Sequence, residues 1–255
     1  MIPVFDGHND ILLRLFNAPD RREAIWLTGE GKGHLDLPRM KAGGFAGGFF
    51  AIYIPSPGPR DLDARERAMA NPPYDLPLAP PVPFDAALPV AMAMAGHLAW
   101  MERTGTLKIC RSTADIRACM ATGTIAAIMH MEGAEGIGPD LDALHVWHAA
   151  GLRSVGPVWS RPTAFGNGVP FRYPGTPDTG DGLTDAGKHL IRECNALKIM
   201  IDLSHMNEKG FNDIAAISDA PLVATHSNVH AICPSTRNLT DRQLAAVRAE
   251  PPHEA

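Results

Sequence analysis

The sequence predicts an α/β fold: a parallel sheet covered by helices and rolled toward a (β/α)8 TIM-barrel arrangement, with about six of the eight strands found. Three observations carry this. Apolar, β-rich runs alternate with stretches of helical periodicity, as parallel sheets buried on both faces require. Chemically potent residues close several of these runs, and in a barrel the C-terminal strand ends form the active mouth. No glycine-rich phosphate loop follows the first run, which disfavours an open doubly wound sheet.

The predicted strands are 2–7, 46–54, 124–131, 152–159, 198–204 and 221–226. The helical stretches are 85–104, 113–122, 140–150 ending at Gly151, 184–197 with Thr184 as N-cap, 207–218 and 240–249. Between them, 55–89 is dense in proline and 161–182 is rich in glycine and proline, so both read as loops over the barrel mouth. No linker or repeat interrupts the chain, and residues 1–255 read as a single barrel-like domain. Six strands leave a closed barrel two short, so the C-terminal strands are expected to be missing.

Composition excludes several functions. The chain has 255 residues, 45% of them apolar, and a formal net charge of −5 without a basic patch, which argues against nucleic acid as a partner. No apolar stretch is long enough to cross a membrane, and the N-terminus lacks the pattern of a signal peptide. Cys110, Cys119, Cys194 and Cys233 show no C-x-x-C spacing. They read as free thiols, and the expected location is cytoplasmic.

Asp6-Gly7-His8-Asn9-Asp10 follows the first apolar run, and alternate residues of a strand share a face, so His8 and Asp10 can reach one metal ion. Alone, His-x-Asp is a common accident. Here Glu132, His205 and His226 each close another predicted strand. A buried carboxylate without a partner is costly, so Glu132 has few structural reasons to stand there. His205 and His226 could each be satisfied core histidines, but their shared placement favours a ligand role. Two carboxylates and three imidazoles suit a pair of divalent ions, zinc before magnesium or calcium. His130 points to the same side as Glu132 and reads as structural support, Asp202 as an orienting or structural partner, and His230 as a possible lining residue. His34, His97, His145, His148, His189 and His253 read as solvated.

At these residues the chain resembles the membrane (renal) dipeptidase family of two-zinc metallopeptidases, in its bacterial form. The matching pieces are Asp6–Asp10, Asp36-Leu37-Pro38-Arg39-Met40-Lys41-Ala42-Gly43-Gly44 leading into Gly47-Gly48-Phe49-Phe50, Glu132-Gly133, Asp202-Leu203-Ser204-His205, Thr225-His226-Ser227-Asn228, and Cys233 through Asp241. They run in order from residue 2 to about 249. The resemblance implies the metal-dependent hydrolase version of the barrel and a binuclear site of two Zn2+. His8 and Asp10 would hold one zinc, His205 and His226 the other, and Glu132 would bridge them as the catalytic carboxylate. A hydroxide shared by the ions would attack the peptide bond of a dipeptide substrate, whose carboxylate Arg237 would hold. Where animal members carry a histidine beside the intermediate, the alignment offers Trp159 or Ser160 as substrate-binding residues.

The family's proton-shuttling acid lies near the last strand and has no counterpart before residue 255. A weakly active protein that tends to form homo-oligomers is therefore expected. Two other readings stay open: an amidohydrolase acting on a lactone, cyclic amide or β-lactam, and a metal-binding remnant with little activity.

Overall fold

In the computed structural model, residues 2–57 and 67–249 are described. The strands are β1 (Val4–Asn9), β2 (Phe45–Tyr53), β3 (Tyr74–Asp75), β4 (Leu107–Ile109), β5 (Ile125–Glu132), β6 (Leu152–Gly156), β7 (Arg172–Tyr173) and β8 (Met200–Ile201). The principal sheet is six-stranded and parallel, in the order β1-β2-β5-β6-β8, with β4 also on β5. β4 and β6 share one edge of β5, β4 along Ile125–Ala127 and β6 along Met129–Glu132.

Every residue of β5 is buried, which is why its sequence is an unbroken apolar run up to His130 and Glu132. Around the sheet lie α1 (Ile11–Phe16), α2 (Leu37–Ala42), α3 (Phe84–Arg103), α4 (Thr113–Thr122), α5 (Asp142–Ala150), α6 (Asp185–Leu197), α7 (Glu208–Ile217) and α8 (Asp241–Arg248). Their ends follow local chemistry. Ser112, Thr184 and Asn207 each accept a backbone N–H of the first turn, and Thr240 with Gln243 forms a capping box. Gly123 and Gly151 close α4 and α5 in the left-handed conformation.

The sheet curls into a half-barrel. Its two ends approach each other where Gly7 of β1 backs onto the Thr225 carbonyl, at a spacing that admits no side chain on residue 7. The start of β1 is open to solvent, with Val4 50% and Phe5 39% exposed. Among the described residues, no helix is long and apolar enough to cross a membrane.

Five expectations are corrected. Residues 221–226 form no strand; they contribute one parallel bridge, Val223 to Asp202, after a proline that offers no ladder N–H. The sixth strand is instead β4, too short at three residues to display a period. His97 is buried in α3 rather than solvated, and burial lowers its pKa. β6 stops at Gly156 because Pro157 follows, and β8 covers only two residues of the predicted 198–204. The two irregular stretches do meet: β3 and β7 pair antiparallel, with Arg172 Nε 2.8 Å from Asp75 Oδ2. Residues 58–66 of the first stretch, and His253, lie outside the described residues.

Candidate metal centre

The register carries the strand ends to one place. Tyr53 of β2 and Gly156 of β6 both stand opposite Glu132, the last residue of β5. His8 comes from the end of β1, while His205 and His226 sit in turns beyond β8 and beyond Val223. His205 holds a positive φ of 67°, a conformation uncommon for a residue with a side chain and a mark of local demand.

The Glu132 carboxylate is the hub. Its Oε1 lies 3.0 Å from His205 Nε2 and 3.3 Å from His226 Nε2, and its Oε2 lies 3.7 Å from His8 Nε2. The two imidazole nitrogens of His205 and His226 are 3.1 Å apart. Asp10 is the outermost member: it follows β1 at the start of α1, is 58% exposed, and reaches His8 Nε2 at 3.6 Å. The structure therefore brings all five sequence-predicted residues together, with Asp10 approaching through a helix start rather than along the strand face.

Burial raises the Glu132 pKa, but hydrogen bonds from His205 and His226 outweigh it and hold the carboxyl well below its usual value. Burial drives His205 down to about 3, helped by the Arg237 charge, so its imidazole is neutral near pH 7. At His8, burial is outweighed by Asp10 and Glu132, and the pKa is raised. The pocket thus holds an ionised carboxylate among imidazole nitrogens, with a neutral ring at His205. That donor set fits a divalent ion such as zinc.

Neighbouring groups fix the rings. Ser160 Oγ lies 2.8 Å from His205 Nδ1, and Thr225 Oγ1 lies 2.9 Å from His226 Nδ1. Thr225 in turn donates to Asp202 Oδ2 at 2.6 Å, and Asp202 Oδ1 accepts the backbone N–H groups of Ser204 and Thr225. Each hydroxyl leaves the ring's Nε2 directed at Glu132, the usual device for orienting a ligating imidazole. Sequence analysis gave Asp202 an orienting role and set Ser160 among the substrate-binding residues, but did not single out Thr225, although it directly precedes a ligand-type histidine. Removing the Thr225 hydroxyl by Thr225→Val should lower metal affinity roughly 10- to 100-fold, measured by competition with a chromogenic chelator. Unchanged affinity would reduce Thr225 to a packing role.

His130 is fully buried, with Nδ1 2.8 Å from Ser154 Oγ on β6 and Nε2 3.6 Å from Asp202, a supporting position. His230 bonds the Gly175 carbonyl at 2.8 Å. Ser160 is occupied by His205. The Trp159 ring stands 5.8 Å from that of His205, 5.1 Å from Tyr53 and 5.8 Å from Phe171, an aromatic wall beside the centre. Arg237 donates from Nη2 to the His226 carbonyl at 3.3 Å, and its Nη1 has no hydrogen-bond partner among the described residues. Burial lowers its pKa to about 10, so it remains a cation. A cleft of about 880 Å³ opens along the outer edge of β1 and is lined by Asp6, His8, Asn9 and Asp10 among others, which gives the centre access to solvent.

A curled parallel sheet with imidazoles and carboxylates gathered at its C-terminal mouth is an architecture of metal-dependent hydrolases. More narrowly, the chain belongs to the membrane dipeptidase family (peptidase family M19), whose model matches residues 1–251. It is similar to a metallo peptidase from Rhodobacter sphaeroides solved with a phosphinate mimic of the dipeptide L-Ala-D-Ala. Identity there is 67%, with TM-score 0.95 over 97% of this chain and 71% of that one. A second solved metallo peptidase, dipeptidase AC, is also 67% identical, with TM-score 0.94 over 97% of this chain and 70% of that one. An uncharacterized protein in the PQQ-III 3' region of Acinetobacter calcoaceticus is 43% identical over 97% of this chain and 77% of its own length. The chain is a metallopeptidase-family hydrolase with a half-barrel fold.

Proposed function

We propose that this protein hydrolyses dipeptides at a binuclear zinc centre built from His8, Asp10, Glu132, His205 and His226, within one barrel-like domain. The observation that carries the reading is the buried carboxylate of Glu132, which lies within 3.7 Å of imidazole nitrogens from three separate chain segments. Divalent ions held there supply a polarised peptide carbonyl and a water nucleophile active near neutral pH. The chain's own residues do the rest. Glu132 stays ionised and joins the two halves of the centre. Ser160 and Thr225 hold the histidine rings, and Arg237 offers a charged fork to the substrate's carboxylate. Tyr53, Trp159 and Phe171 line the side of the centre and limit water on that flank. The unbonded cysteines accord with the reducing cytoplasm as its location.

The test is turnover of L-Ala-D-Ala by the purified protein before chelation, after it, and after adding back zinc. Loss on chelation and recovery with zinc are expected. Hydrolysis of a lactone panel without dipeptide turnover would favour the broader amidohydrolase reading.

A further inference from the structure

Glu135 and Arg161 form an ion pair that the dipeptidase reading does not use. Arg161 Nε lies 2.6 Å from Glu135 Oε1, and the two side chains are 0% and 1% exposed. Arg161 also donates from Nη2 to the Ile54 carbonyl, just past β2, and from Nη1 to Ser56 Oγ at 3.4 Å. Its guanidinium carbon stands 5.0 Å from the centre of the Trp159 ring and 5.5 Å from that of Tyr53. Glu135 follows Glu132 by one tight turn, in which Gly133 has φ +81° and the Glu135 carboxylate folds over it.

One guanidinium thus joins the ends of β2, β5 and β6 and supports two aromatic rings from beneath. Taking such a pair out of water is expensive, and apolar residues of similar volume are often as stable or better. Stability alone is therefore a poor reason for a charged pair here. A planar cation does offer something an apolar side chain lacks: a fixed face for the indole, a fork for a carboxylate and a donor for a carbonyl.

We propose that Arg161 and Glu135 are positioning residues that set the indole of Trp159 against His205 and so shape the substrate-facing wall of the centre. This rests on the dipeptidase reading for its kinetic consequence but not for its structural one. The test uses the double variant Glu135→Gln/Arg161→Met, which removes both charges without stranding either. Each protein is also made with Trp159→Phe, so that acrylamide quenching of Trp159 is obtained by difference. Freed of its support, Trp159 should show at least a doubled quenching constant, while metal content and melting temperature stay near those of the parent. Against L-Ala-D-Ala, KM should rise roughly tenfold with a smaller change in kcat, as expected of a misplaced wall.

Quenching of Trp159 that matches the parent overturns the proposal, whether or not any dipeptide is turned over. Increased quenching in a protein that never hydrolyses dipeptides upholds the brace and instead counts against the function proposed above. Should the double variant not fold, Arg161→Lys keeps the charge but loses the planar stack; it should raise quenching of Trp159, and parent-like quenching there overturns the proposal equally.

Discussion

Glu132→Gln is expected to strip the centre of metal and abolish peptide hydrolysis. The carboxylate is within 3.7 Å of three imidazoles, and hydrogen bonds from His205 and His226 outweigh the burial that raises its pKa. An amide keeps the volume but gives up the negative charge and one of the two acceptor oxygens. Two like-charged ions held without that charge repel more strongly in a pocket shielded from water. The loss should exceed the roughly 10- to 100-fold in affinity that removal of an outer hydrogen-bond partner brings. Metal content by inductively coupled plasma spectrometry checks it. Two tightly held zinc ions per chain in the glutamine variant would rule out a bridging role.

Arg237→Ala should raise KM for dipeptides by roughly thirty- to a hundredfold, the equivalent of about 2–3 kcal/mol for a charge-assisted carboxylate contact, and leave metal content intact. The guanidinium is half-buried, charged and bonded through Nη2 to the His226 carbonyl, with Nη1 unpartnered among the described residues. A cation in that state suits an anion supplied from outside. A dipeptide amide, which has no carboxylate, should bind the parent and the variant almost equally. Equal losses on both substrates would assign Arg237 a structural role in holding the His226 turn.

Legibility in the sequence followed the range of the forces involved. Local signals worked: the apolar run into Glu132, the cap at Thr184 and the glycine at 151 marked elements to within a residue or two. Candidate ligands were legible because each ended an apolar run where a charged or titratable side chain is costly. What escaped depends on contacts distant in sequence. β4 is a strand only because β5 offers it an edge, and 221–226 fails to become one despite its composition. Glu135 and Arg161 are unremarkable in sequence and become a buried pair only when two strand ends meet. His97 looks like a surface helix residue until the core closes over it.

The most direct measurement is anomalous diffraction at the zinc edge from crystals of the zinc-loaded protein. The central claim predicts two peaks, each about 2.0–2.2 Å from an oxygen of Glu132, one shared with His8 and Asp10 and the other with His205 and His226. A single peak, or peaks that leave Glu132 outside coordination distance, would contradict it.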